Sequence, residues 1–169
     1  MMGYSYDLIG GPVQCFNPAK SWQLGWYENE AITVNPFLPQ GFQATLKGIT
    51  DYSNGAFPGE FVIIRIPDIQ GKDLFVGYNR QKTINRETQA AKDKMVVVRQ
   101  GEGYAVSDRV SDIGLQRSYV QEDYFGSGKT LCVSYMERSL FFDKATIDIR
   151  TVDAGQDCPQ PRHEAPPTR

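Results

Sequence analysis

The sequence predicts a mainly β protein: an antiparallel β-sandwich preceded by a loop and one short helix. Two observations carry that expectation. From Glu30 onward, short runs of β-branched and aromatic residues recur, with Gly, Pro, Asn and Asp between them at intervals of about 10–15 residues. Sixteen glycines and ten prolines imply many turns, which suit strands better than a helical bundle. Nine Phe, nine Tyr and two Trp are enough to fill a core.

Residues 1–14 hold several glycines and no clear period, so they read as a turn-rich loop. Helix signals begin at Asn17, a good N-cap, followed by Pro18, whose preset φ and missing N–H suit the first helical position. The helix is expected to run through AKSWQLGWY, with Phe16, Ala19, Trp22, Leu24 and Trp26 apolar and Gly25 loosening its end. The strand runs are AITVNP, FQATLKGI, EFVIIRI, DLFVGYN, KMVVVRQ, YAVSD, TLCVSYM and ATIDIRT. FVIIRI is apolar at nearly every position and reads as a central strand, whereas ATIDIRT alternates, so one of its faces is wet. INRETQAAKDK reads as a polar loop or single turn, and the Pro-rich sequence after Asp153 as a disordered tail. The expected organisation is therefore 1–29 loop and helix, 30–152 sandwich and 153–169 tail.

Charge and hydropathy exclude some functions. The formal net charge is -2 and no block of Lys and Arg offers a stripe for phosphates, so no nucleic-acid partner is expected. No apolar run reaches the roughly 18 residues of a membrane helix. The start lacks the basic and apolar regions of a secretory signal peptide.

Several motifs invite a chemical reading. GSGKT at residues 126–130 resembles the end of a phosphate-binding loop, but the required earlier glycine is Asp123 and a strand, not a helix, follows. A hairpin turn is the expectation. Asp51, Asp108 and Asp112 could contribute to a calcium site, yet no EF-hand spacing is present and solvated carboxylates are expected. His163 is the one histidine and lies in the tail, which leaves no Ser-His or Cys-His catalysis to build. Cys15, Cys132 and Cys158 fit no zinc spacing. Either a Cys132–Cys158 bridge tacks the tail to the sheet, leaving Cys15 to pair elsewhere, or all three are reduced.

The opening segment MMGYSY…CFNPAKSWQLGWY resembles the methionine turn and following helix of the gametolysin family, metallopeptidases that digest cell walls and extracellular matrix. DLFVGYNRQKTIN and VVVRQGEGY resemble that family's β-rich C-terminal region, so the likeness spans most of residues 1–150. It implies that residues 1–29 are the end of a metzincin-type C-terminal subdomain. It implies that Met2 is the turn methionine, a structural floor beneath the metal. Tyr4 would approach the zinc or the transition-state oxyanion, and only together with an upstream half. Trp22 to Tyr27 would be a structural helix block.

The family's zinc is held by an HExxH helix and a third histidine. These precede the methionine turn, and this chain begins at that turn. No zinc ligand can be named, and no cofactor is expected for the chain alone. The resemblance implies a C-terminal portion of a secreted zinc endopeptidase, inactive by itself, whose partner is the N-terminal catalytic half. On that reading Phe16, Trp22 and Trp26, left without their packing partner, form an exposed apolar patch. The alternative is a non-catalytic sandwich that binds matrix glycoprotein or polysaccharide through exposed Tyr78, Tyr104 or Tyr124, although the favoured expectation for these tyrosines is that they fill the core or cover strands.

Overall fold

The computed structural model describes residues 16–51, 57–68, 71–82, 85, 91–101, 106–141 and 143–160. Helix α1 (Pro18–Gln23) comes first, and ten strands follow. They are β1 (Ala31–Thr33), β2 (Phe42–Lys47), β3 (Glu60–Phe61), β4 (Ile63–Ile66), β5 (Lys72–Asn79), β6 (Lys94–Gly101), β7 (Ser107–Ile113), β8 (Ser118–Gln121), β9 (Lys129–Arg138) and β10 (Lys144–Asp153). They form two five-stranded sheets, ordered β1-β4-β5-β6-β7 and β3-β2-β10-β9-β8.

The expected sandwich is present. Every strand pair is antiparallel except one at an edge of each sheet, β1 with β4 and β2 with β3. The core lies between the sheets. Ile64, Ile66, Leu74, Val76, Tyr78, Met95 and Val97 of the first sheet meet Leu46, Leu131, Val133, Tyr135, Ile147 and Ile149 of the second. Each strand contributes alternate residues, as the pleat requires.

FVIIRI is not one central strand. Phe61 pairs with Leu46 in the second sheet, whereas Ile63 pairs with Gly77 in the first. Phe61 and Ile64 turn to the core between the sheets, while Val62 and Ile63 both join a separate cluster on the far side of the first sheet. Two neighbours on one side break the alternation, and there the chain crosses from sheet to sheet.

That second cluster corrects the expectation of an unpartnered helix. Ala19 of α1 is fully buried against Val62, Ile63, Phe75, Val96 and Val98, with Trp22 and Tyr27 packed beside them. Pro18 sits over Gly77, where a Cβ would lie only 3.1 Å from Pro18 Cβ. The outer face of the first sheet is the helix's packing partner, so Trp22 belongs to a buried seam. Trp26 does remain 46% exposed, in edge contact with Phe16 at 5.1 Å.

The helix starts where the sequence places it: Asn17 Oδ1 accepts from Lys20 N at 3.0 Å, with Pro18 at the first turn. It ends earlier than expected. Leu24 caps it, and Gly25 then takes φ +70°, a left-handed value that glycine adopts without strain.

Cys132 and Cys158 form a disulfide, with Cα atoms 5.6 Å apart. It fastens residues 154–160 to the second sheet, and both cysteines are buried.

Candidate functional site

The outer face of the first sheet is where polar and aromatic groups converge on open space. Strand alternation puts Asp73, Phe75 and Gly77 of β5 on this face, together with Arg65 of β4 and Gln100 of β6. The register sets Asp73 opposite Gln100 and Arg65 opposite Phe75. Helix α1 lies across them and ends at this point, so Trp22 and Gln23 project beside the same residues. Trp22, Gln23, Arg65, Asp73, Phe75 and Gln100 line an open recess of about 410 Å³, and Gly77 lies under Pro18.

Its groups hold one another in place. Trp22 packs on Phe75 with ring centroids 5.9 Å apart, and the Arg65 guanidinium lies 5.7 Å from the Trp22 ring centroid. Arg65 Nε donates to Asp73 Oδ2 at 2.5 Å, and its Nη2 reaches the same oxygen. Gln23 Oε1 accepts from Lys20 Nζ and from Gln100 Nε2, each at 3.1 Å. Gln100 is only 5% exposed, and its Oε1 finds no partner among the described residues.

No family model, curated protein or solved structure matches the chain. The chemistry of the site therefore has to be read from its own atoms.

The residues singled out in the sequence are dispersed. Met2, Tyr4, Cys15, Tyr104 and His163 lie outside the described residues. Tyr78 and Tyr124 are core residues, which removes both as exposed sugar-stacking platforms. Tyr124 donates its hydroxyl to the Pro67 carbonyl oxygen. Burial, followed by the Asp68 and Asp73 carboxylates, raises its phenol well above the ordinary range. GSGKT is the expected turn between β8 and β9, tied by Gly128 N donating to Asp123 Oδ1 at 2.9 Å.

The candidate calcium carboxylates do not converge. Asp51 is bound to Arg80 at 2.6 Å and Lys82 at 3.4 Å. Asp108 and Asp112 stand on edge strand β7, four residues and roughly 13 Å apart along it.

Zinc, which the resemblance implies for the family, does not fit the described residues. Cys132 and Cys158 are bonded to each other, while Glu60, Asp68, Asp73 and Asp148 face Lys or Arg. Among the described residues no three His, Cys, Asp or Glu side chains are placed to hold a metal ion, and no helix is long and apolar enough to cross a membrane.

The site that does form went unseen in the sequence. Trp22 reads in the sequence as part of a structural helix block, whereas Arg65, Asp73 and Gln100 carry no motif. Strand alternation puts Asp73 and Phe75 on one face, but nothing local tells which strand lies beside them.

Proposed function

We propose that this chain is the C-terminal, non-catalytic part of a secreted gametolysin-like zinc endopeptidase acting on cell-wall or matrix protein. One observation supports this above the others. The segment that resembles the family's helix, AKSWQLGWY, is seated on the sandwich through Ala19, Trp22 and Tyr27. A helix rooted this way gives the sandwich a fixed junction with an upstream half. In this reading the upstream half holds zinc and polarises the peptide carbonyl. The described half offers the substrate the open recess beside α1. The buried Cys132–Cys158 disulfide supports a secreted location, because such bonds persist in oxidising compartments.

The test is zinc-dependent cleavage of a gelatin or matrix-glycoprotein substrate by the purified 169-residue chain. No chelator-sensitive cleavage is expected from the chain alone. Turnover that chelation abolishes and zinc restores would sink the non-catalytic assignment.

A second reading, a free-standing module that binds matrix glycoprotein or polysaccharide, is favoured by the recess beside α1. There an aromatic ring and several polar groups share one open face.

A further inference from the structure

The recess at the end of α1 has a composition that narrows its ligand. We propose that it binds one pyranose ring of a neutral saccharide chain. This rests on the binding-module reading and holds with or without a catalytic half upstream.

Shape comes first. A volume of about 410 Å³ falls within the range of small-molecule sites, and the recess is open on one side. An open side lets a polymer continue past the bound unit. Gly101 lies at the rim with no side chain to obstruct it.

The polar groups are planar and fixed in position. A guanidinium, a carboxylate and two amides stand around the cavity. Groups of this kind form paired hydrogen bonds to two adjacent hydroxyls, the repeating feature of a sugar ring. Arg65 and Asp73 hold each other, and Gln23 is held by Lys20 and Gln100, so little side-chain freedom remains to be lost on binding. Gln100 Oε1 is an acceptor left over in this network. It is buried and without a partner among the described residues, a condition that a water or a ligand hydroxyl relieves after a small turn of the amide. The part of Trp22 left open supplies the apolar surface for the C–H face of the ring, with the buried Phe75 packed behind it and holding its ring in place.

Charge decides between sugars. Arg65 and Asp73 neutralise each other at 2.5 Å, so the described lining offers no unpaired cation to a carboxylate, sulfate or phosphate. Neutral hexose or pentose units suit it better than uronic or sulfated ones.

The experiment titrates the full 169-residue chain by calorimetry with soluble gluco-, xylo-, manno- and galacto-oligosaccharides. Uronic and sulfated oligosaccharides and a deglycosylated matrix protein form the comparison arms. The two tryptophans of the chain, Trp22 and Trp26, give a parallel fluorescence readout. The expected result is that at least one neutral oligosaccharide binds, changes the emission and is insensitive to salt. Trp22→Ala is expected to weaken binding about tenfold and Gln23→Ala about fivefold. Gln23 is partly exposed, so Gln23→Ala keeps the test meaningful if Trp22→Ala fails to fold. Binding only to anionic sugars, with affinity falling as salt rises, overturns the proposal. So does neutral-sugar binding that both folded variants leave unchanged. Capture of the deglycosylated protein alone overturns the saccharide site while keeping a binding module, and no binding in any arm overturns both.

Discussion

Gly77→Val separates a docked helix from a loose one by the sign of its effect. Gly77 lies within β5, is buried and has no positive φ that would exclude a side chain. In a strand whose outer face were bare, valine would stabilise by up to about 1 kcal/mol, since glycine is a poor strand residue. With α1 in place, the new Cβ lies 3.1 Å from Pro18 Cβ and 3.3 Å from Pro18 Cγ. Ordinary carbon contacts are about 3.5–4.0 Å, and valine adds two methyls beyond that Cβ. Overpacking of this kind costs about 1–3 kcal/mol, which exceeds the strand preference. The net expectation is a loss of about 1–2 kcal/mol, or roughly 2–8 °C in Tm for a chain of this size. Thermal unfolding followed by circular dichroism measures the stability. Tryptophan emission should shift to the red in the folded variant as Trp22 lifts from Phe75. A more stable variant with unchanged emission would refute the docking of α1 on the first sheet.

Three further outcomes follow from other parts of the fold. Deleting residues 1–28 removes the cover from Val62, Ile63, Phe75, Val96 and Val98, so the shortened chain is expected to aggregate more, as read by light scattering at matched concentration. Reducing Cys132–Cys158, which closes a separation of 26 residues, should lower stability by about 3.5 kcal/mol on the loop-entropy estimate; equal urea midpoints with and without reductant would contradict it. Burial pushes the Glu60 carboxyl up, but hydrogen bonds from Lys144 and Lys47 outweigh it and hold the group below its ordinary value of 4.5. A depressed carboxylate contributes stability above that value and loses it as the pH falls through the folded-state value. Glu60→Gln should therefore cost about 1 kcal/mol at pH 7 and progressively less as the pH is lowered below 4.5, measured by denaturant titration at a series of pH values.

Local signals were legible where a residue type answers one backbone need. Asn17 and Pro18 mark the helix start because a side-chain acceptor and a missing N–H suit that position alone. Glycines, prolines and β-branched runs located most strands for the same reason. FVIIRI hid its crossing between sheets because apolar residues flank the break, and no polar residue marks where alternation slips at Val62 and Ile63. Strand β8, SYVQ, carries no strand signal of its own, being four residues long with no run of apolar residues. The docking of α1 depends on Gly77 lying about 60 residues away in the chain, and the recess on Asp73 meeting Gln100 across a strand pair. Such long-range register cannot be read from one local stretch.

The most direct test of the central claim joins this chain in cis to the HExxH-bearing half of a gametolysin-family peptidase. Zinc-dependent cleavage of a matrix glycoprotein is then measured with α1 docked and with α1 displaced by Gly77→Val. The account predicts cleavage by the fusion, reduced cleavage by the folded Gly77→Val fusion, and none by the 169-residue chain alone. Equal cleavage by a catalytic half carrying no sandwich would contradict it.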